Sequence, residues 1–256
     1  MSAKKPAMGK PAYSVSQNFL TSRQTINRLL NRTNISQSDY VLEIGAGKGH
    51  ITRALLGRCG ALRAVEIDPS LCNSLRERCG AHPRLQLVRA DFLKTALPTV
   101  PYKVFSNIPF SITTAIMRKL LHSPNPPQEG WLFMEKGAAK RFAGIPRETT
   151  ESLALKPYYE MAIDYHFRRE DFHPMPSVDV VMLRITRKAN PDLPSAQRAR
   201  FCDFVSRCQS RGLRAVLTSK QIATALKRDG LAPLSASDEI LYIQWLCLFR
   251  CHANLN

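Results

Sequence analysis

Residues 41–50, with the sequence VLEIGAGKGH, constrain the fold of this chain more than any other stretch. Val41, Leu42 and Ile44 form the apolar run that is typical of a parallel β-strand covered on both faces. Three glycines follow at alternating positions, where such a strand would turn into a helix. Glycine permits positive φ angles and lets a ligand approach the backbone, and the next helix offers free N–H groups at its start. The stretch therefore predicts an α/β fold with a ligand site at the carboxyl end of this strand.

The spacing of the glycines narrows the class of ligand. The pattern is E-x-G-x-G-x-G, whereas dinucleotide-binding folds have G-x-G-x-x-G, and position 50 is His. A phosphate-binding Walker loop would need glycine at position 42, which is Leu. The pattern resembles motif I of the Rossmann-like S-adenosylmethionine (SAM) methyltransferases. On this stretch alone, a tight turn without a ligand is the alternative interpretation.

The charge of the chain predicts a polyanionic partner. The formal net charge is +17, and residues 1–38 contain six Lys and Arg but no Asp or Glu. Residues 186–256 contain eleven basic residues against five acidic ones. Basic residues that serve only solubility are normally accompanied by a comparable number of acids, so the balance favours nucleic acid over an anionic membrane surface.

Cysteine and histidine usage points to a reduced, metal-free protein. The seven cysteines include no C-x-x-C pair and lie in segments of apolar periodicity, which is typical of core residues in a cytosolic protein. The six histidines show no metal-ligand spacing, so no metal is predicted. The longest apolar stretch, near residues 240–249, is interrupted by Gln244 and is too short to span a bilayer. We therefore expect a cytoplasmic chain without membrane contact.

Two acids follow predicted strands in register with the glycines. The strand at residues 62–65 ends in Glu66, 21 residues after Gly45, where nucleotide-binding folds place an acid that binds ribose hydroxyls. Asp91 follows the third strand, where it could accept a hydrogen bond from an adenine amino group or cap a helix. The shared register favours a cofactor role for both acids.

The segment after the fourth strand, Asn107-Ile108-Pro109-Phe110, predicts the chemistry. The lone pair of a purine amino group is delocalised into the ring, which makes the amine a weak nucleophile. The side-chain oxygen of Asn107 and the carbonyl oxygen of Ile108 could hold its two N–H groups and free that lone pair. Pro109 stiffens the turn, and Phe110 offers a flat face to an extracted base. Without the upstream motifs, an ordinary exit from a strand would be the preferred interpretation.

The character of the chain changes after the last predicted strand at residues 178–185. Pro191 and Pro194 predict a linker, and residues 201–208 place apolar side chains on one helical face with arginines around the rest. We therefore predict a flexible basic arm at residues 1–12, a catalytic domain at 13–187 and a small helical RNA-binding domain at 188–256.

Together these motifs resemble the ribosomal RNA adenine N6-methyltransferases, which include the housekeeping small-subunit dimethyladenosine transferases and the Erm erythromycin-resistance methylases. The resemblance covers nearly the whole chain and implies a Rossmann-like sheet with helices on both faces, a small α-helical C-terminal domain and SAM as cofactor. Gly45, Glu66 and Asp91 match the glycine, ribose and adenine positions of the family, and Asn107 is predicted to contact the cofactor as well as the substrate.

The resemblance also assigns roles at both ends of the catalytic domain. Residues 16–20 resemble the N-terminal cofactor motif, which implies that Asn18 and the backbone of Leu20 hold the methionine end of SAM. Residues 107–110 match the tetrapeptide that binds the target adenine. Phe172 belongs to the family's late aromatic loop, either as a second stacking plate or as a buried anchor.

Within the family, the chain looks like an Erm methylase. Its tetrapeptide begins Asn-Ile-Pro as in Erm, whereas the housekeeping enzymes usually have Asn-Leu-Pro. Phe110 departs from the many members with Tyr, because it keeps the stacking face and loses the hydroxyl. The resemblance implies that a monomer methylates N6 of one adenine in 23S rRNA and confers resistance to macrolides, lincosamides and streptogramin B. The alternatives are a 16S rRNA dimethyladenosine transferase and a non-catalytic RNA-binding or ribosome-assembly factor on the same fold.

Overall fold

The computed structural model describes residues 18–234 and 239–254. The predicted basic arm and the first two residues of the N-terminal cofactor motif, Ser16 and Gln17, lie outside this range. The described residues form two compact units, one of residues 18–136 and 164–184 and the other of residues 137–163, 185–234 and 239–254. The division into domains made from the sequence stays a prediction, because compactness does not show that either part folds alone.

The described residues form short strands and helices that alternate through the first half of the chain. The strands are β1 (Phe19–Leu20), β2 (Tyr40–Ile44), β3 (Ala61–Glu66), β4 (Leu85–Arg89), β5 (Lys103–Asn107), β6 (Glu129–Glu135), β7 (Tyr159–His166), β8 (Phe172–His173) and β9 (Val180–Arg187). The α-helices are α1 (Arg23–Leu30), α2 (His50–Leu56), α3 (Pro69–Cys79), α4 (Thr113–Leu121), α5 (Lys136–Ala143), α6 (Thr150–Leu155), α7 (Arg198–Arg211), α8 (Ser219–Arg228) and α9 (Tyr242–Ala253).

Within the described residues, one seven-stranded sheet has the order β4-β3-β2-β5-β6-β9-β7. The neighbouring strands from β4 to β6 in this order, β4-β3-β2-β5-β6, all pair in parallel. The chain builds outwards from β2 through β3 to β4, then returns to the other side of β2 as β5. Ligands of open α/β sheets bind where the strand order reverses in this way, at the carboxyl ends of the strands. The sheet confirms the predicted α/β fold and places that reversal between β2 and β5.

The position of β2 explains its composition. Val41, Leu42 and Ile44 are buried, because β2 lies in the middle of the sheet between β3 and β5. A separate two-stranded sheet pairs β1 with β8 in antiparallel register. The sequence predicts neither of these strands, since two residues carry no alternating pattern.

The second unit has an aromatic core built by its helices. The ring centroids of Phe201 and Phe249 lie 5.1 Å apart, and those of Phe204 and Trp245 lie 6.2 Å apart. Phe201 and Phe204 are buried on one face of α7, as their helical spacing predicts.

The cysteines carry free thiols, and Cys59, Cys72, Cys208 and Cys247 are buried. Among the described residues, no cluster of three His, Cys, Asp or Glu side chains is placed to hold a metal ion. In the same part of the chain, every helix is too short or too polar to cross a membrane.

Candidate active site

A cavity of about 410 Å³ lies at the carboxyl ends of β2, β3, β4 and β5. Its walls are the glycine turn after β2, the end of β3, the segments after β4 and β5, and residues 18 and 19. All predicted site residues line it except Leu20 and Phe172. The structure therefore brings together, at the reversal of the strand order, side chains that the sequence places up to 92 residues apart.

The glycine turn is shaped by conformation and by a neighbouring side chain. Gly45 and Gly47 have φ angles of +72° and +57°, which L side chains rarely adopt. A Cβ on Gly47 would lie 2.6 Å from Cε1 of Phe19. Glycine at position 47 is thus required by the ring of Phe19, in addition to the ligand approach that the sequence predicts.

Glu66 ends β3 and is 2% exposed. Its Oε2 accepts a hydrogen bond from the backbone N–H of Gly47 at 2.8 Å. Its Oε1 accepts from the N–H groups of Ile67 at 2.8 Å and Asp68 at 2.9 Å. A carboxylate has about four acceptor positions, so one remains, on Oε2. Paired bonds to a ribose diol, as predicted from the sequence, would require one backbone contact to be released.

Asp91 fills one of the two roles that the sequence leaves open, the helix cap, and the adenine role stays a prediction. Its Oδ1 accepts from the N–H of Leu93 at 2.9 Å and caps a short 3₁₀ helix, Phe92–Lys94. Its Oδ2 has no hydrogen-bond donor within the described residues, and the side chain lines the cavity. Capping therefore leaves one carboxylate oxygen for a ligand.

Lys119 of α4 contacts the segment after β4 that carries Asp91. Its Nζ donates to the carbonyl of Leu93 at 2.9 Å and also to that of Thr95, and it lies 5.1 Å from the ring centroid of Phe92. The wall that carries Asp91 is thereby tied to the helix that follows the tetrapeptide.

Asn107 ends β5 with its amide in a fixed orientation. Its Nδ2 donates to the backbone carbonyl of Asn18 at 2.6 Å. A carbonyl can only accept, so this contact determines which end of the amide carries oxygen. Oδ1 is buried and has no hydrogen-bond partner within the described residues. Leaving a buried acceptor unpaired costs on the order of 1–3 kcal/mol, so this atom is expected to accept a hydrogen bond from a ligand.

The rest of the tetrapeptide turns along the cavity wall. The N–H of Ile108 donates to the carbonyl of Phe133 at 3.3 Å and continues the pairing of β5 with β6. Pro109 precedes a short 3₁₀ helix, Phe110–Ile112. Phe110 is half-buried and lines the cavity, where a flat face is available to a ligand.

Leu20 and Phe172 lie in the hydrophobic core. They are opposite residues of the β1–β8 pair and are 2% and 3% exposed. The ring centroid of Phe172 lies 5.1 Å from that of Phe167. Of the two alternatives for Phe172, its burial favours an anchor over a stacking plate. The pairing of β1 with β8 carries the neighbouring residues 18 and 19 to the cavity.

Comparison with known proteins identifies the family. The model of a family described as ribosomal RNA adenine dimethylase matches residues 9–253. The chain belongs to this family. The match confirms the resemblance drawn from the motifs.

Three individual relatives cover between 84% and 97% of the chain. An rRNA adenine N-6-methyltransferase of Lysinibacillus sphaericus is 33% identical over 97% of the chain and 100% of its own length. The structure of the 23S rRNA methyltransferase ErmE has a TM-score of 0.82 at 30% identity and covers 92% of the chain and 100% of its own. A dimethyladenosine transferase from Plasmodium falciparum shares the fold, with a TM-score of 0.67 at 21% identity over 84% of the chain and 83% of its own.

Glu43 lies on β2 two residues before Gly45, and the sequence assigns it no role. It is 1% exposed, and its Oε2 accepts from the hydroxyl of Thr52 at 2.7 Å. Burial raises the pKa of Glu43 to about 8, against the opposing effect of the Thr52 hydrogen bond, and the charge of Glu66 raises it further. The sequence signal that could have identified Glu43 is its position as a single acid inside the apolar run of a buried strand.

The raised pKa of Glu43 predicts a pH-dependent component in the stability of the chain. The usual pKa is 4.5 and the folded value is about 8, so the folded chain binds more protons than the unfolded chain between these values. The free energy of unfolding should therefore fall as pH rises through this window, by up to about 1.4 kcal/mol per pH unit. Glu43→Gln should remove this component. Urea unfolding of both proteins at pH 5, 6.5 and 8 measures the difference, and parallel pH profiles would contradict the assignment.

Proposed function

We propose that this chain transfers one or two methyl groups from SAM to N6 of a single adenine in 23S rRNA. The observation that carries the proposal is the buried, unpartnered Oδ1 of Asn107 at the wall of a cavity with cofactor-binding features. ErmE, whose whole length matches 92% of the chain, is named as a 23S rRNA methyltransferase. This supports 23S rRNA over 16S rRNA as the substrate.

The cavity fits the adenosyl part of SAM. Its volume of about 410 Å³ is in the usual range for a ligand of this size, and Ile44, Val65 and Ile67 supply apolar walls. Oδ2 of Asp91 can accept from the adenine amino group, and Oε2 of Glu66 can accept from one ribose hydroxyl. When bound, SAM supplies a methyl group attached to an electrophilic sulfonium.

We assign the methionine end of SAM to the N-terminal motif. By the family resemblance, Asn18 and the backbone of Leu20 hold this end beside Gly45. In this structure the carbonyl of Asn18 is also the acceptor that orients Asn107. The segment of residues 18–20 would then position both the cofactor and the residue that activates the substrate.

The substrate amine is activated by hydrogen bonding. Oδ1 of Asn107 and the carbonyl of Ile108 accept the two N–H bonds of N6, which draws the nitrogen towards tetrahedral geometry and exposes its lone pair. The new N–C bond forms as the methyl group leaves its donor, and the methylated amine then loses a proton to solvent. Pro109 keeps the two acceptors in place because its ring fixes φ.

Phe110 holds the extracted base. Single bases are commonly bound by stacking on an aromatic ring, and Phe110 presents its ring at the cavity. Phe172 lies in the core and supports the strand that carries Asn18, so we assign it no stacking role.

The wider proposal is a cytoplasmic monomer that binds RNA through the basic residues of both units. Methylation of 23S rRNA would give the host resistance to macrolides, lincosamides and streptogramin B. Phosphate contacts should dominate this binding, so it should weaken steeply with salt.

Transfer of label from SAM tests the proposal directly. With purified 23S and 16S rRNA as separate substrates, we expect label in 23S rRNA only, at a single adenine that primer extension locates. Label in 16S rRNA alone would identify the housekeeping activity. No label in either RNA, together with no heat of SAM binding in calorimetry, would identify a non-catalytic factor.

A further inference from the structure

We propose that Lys48, His50, Arg53 and Arg78 form a binding surface for the RNA backbone phosphates that flank the target adenine. This inference rests on the proposed function. Lys48 lies in the glycine turn, and His50 is the first residue of α2. Arg53 lies in the last turn of α2, and Arg78 lies in the last turn of α3. We call these four residues the glycine-turn cluster.

Contacts of Arg78, Leu75 and Lys48 place the glycine-turn cluster beside the cavity. Nη1 of Arg78 donates to the carbonyl of Lys48 at 3.1 Å. A Cβ on Gly49 would lie 2.4 Å from Cδ2 of Leu75, so α3 packs directly against the turn. Nζ of Lys48 lies 5.0 Å from the ring centroid of Phe19, which lines the cavity. The positive charges therefore stand next to the opening that an everted base would use.

Within the described residues, Lys48, Arg53 and Arg78 have no ion-pair partner. All three residues are exposed. By contrast, Lys103 in the same unit pairs with Asp39 at 2.9 Å. Like charges held together without a counter-charge raise the affinity of a surface for a polyanion.

His50 shows that the three charges converge. Its pKa is lowered, first by burial and then by the positive charges of Arg78, Lys48 and Arg53. The half-buried imidazole carries an N–H group that can donate a hydrogen bond to a phosphate oxygen.

A polynucleotide fits this surface better than a small anion. The three cations are exposed and lie on three separate segments, the glycine turn, α2 and α3, so they do not surround a single point. When a base leaves its stack and enters the cavity, the phosphates on either side of it must pass over the surrounding surface. Several separated cations at the cavity edge match such a chain of charges.

Salt titration of RNA binding tests the proposal. The triple variant Lys48→Gln, Arg53→Gln, Arg78→Gln is compared with wild type and with Arg76→Gln, a single exposed charge on the same helix that contacts Asn73 instead. The probe is a labelled 23S rRNA fragment that contains the methylated adenine. Each lost phosphate contact should lower the slope of log K against log salt by about 0.7–0.9, so the triple variant should lose about 2–3. SAM binding without RNA should stay unchanged in the double variant Lys48→Gln, Arg53→Gln, which keeps the contact of Arg78 with the glycine turn.

The outcomes separate this proposal from the proposed function. If the triple variant has the salt slope of Arg76→Gln, the glycine-turn cluster does not bind RNA. If it loses binding to anionic vesicles but keeps RNA binding, the partner is a membrane and the proposal is also overturned. A double variant, Lys48→Gln with Arg53→Gln, keeps the contact of Arg78 with the glycine turn and should lose about 1.4–1.8 of the slope. Methylation of the same fragment by the wild-type protein is measured separately. The slope of log K against log salt for binding to poly(U) tests the cluster even if no methylation is seen.

Discussion

Asn107→Ala is expected to lower methyl transfer by about 10²–10³-fold, the usual effect of removing one hydrogen-bonding group that acts on developing charge. The variant removes the unpartnered Oδ1 that we assign to the N6 amine. Single-turnover transfer to 23S rRNA measures the effect, and SAM binding should largely survive because Glu66 and Asp91 are intact.

Asn18→Ala is the matched control for this change. It removes a side chain assigned to SAM but keeps the backbone carbonyl that orients Asn107. We expect it to weaken SAM binding and to leave the rate at saturating SAM closer to wild type. Wild-type turnover by Asn107→Ala would show that the amide does not activate the amine.

Phe110→Ala is expected to cost about 1–3 kcal/mol of base binding, or about 5–150-fold in kcat/KM for RNA. Phe110→Tyr keeps the flat ring and should stay within a few-fold of wild type. Steady-state kinetics with varied RNA at saturating SAM checks both values.

The half-buried position of Phe110 makes a packing control necessary. Phe110→Leu fills much of the same space without a flat aromatic face, so it should resemble Ala in kinetics and wild type in thermal stability. Phe172→Leu should show the reverse, with lower stability and nearly normal transfer. A Leu variant at position 110 with normal kcat/KM would refute stacking.

The candidate site could be predicted in part because several of its determinants are local. A buried strand, a turn with positive φ and a following helix are determined by consecutive residues, so Gly45 and Glu66 could be found from spacing. The tetrapeptide could be located for the same reason, since it follows directly on β5. The sequence predicts Phe172 in a loop, whereas it lies on β8, because the pairing of two-residue strands depends on distant parts of the chain.

The sequence by itself determined the α/β class and the family. It also determined which residues follow the carboxyl end of each central strand. These features depend on periodicity and on residues close together in the chain. Tertiary structure decided the partners: the carbonyl of Asn18 meets the amide of Asn107 across 89 residues, and β1 pairs with β8 to bury Phe172. It also decided the raised pKa of Glu43, because desolvation depends on the atoms that the whole fold packs around a group.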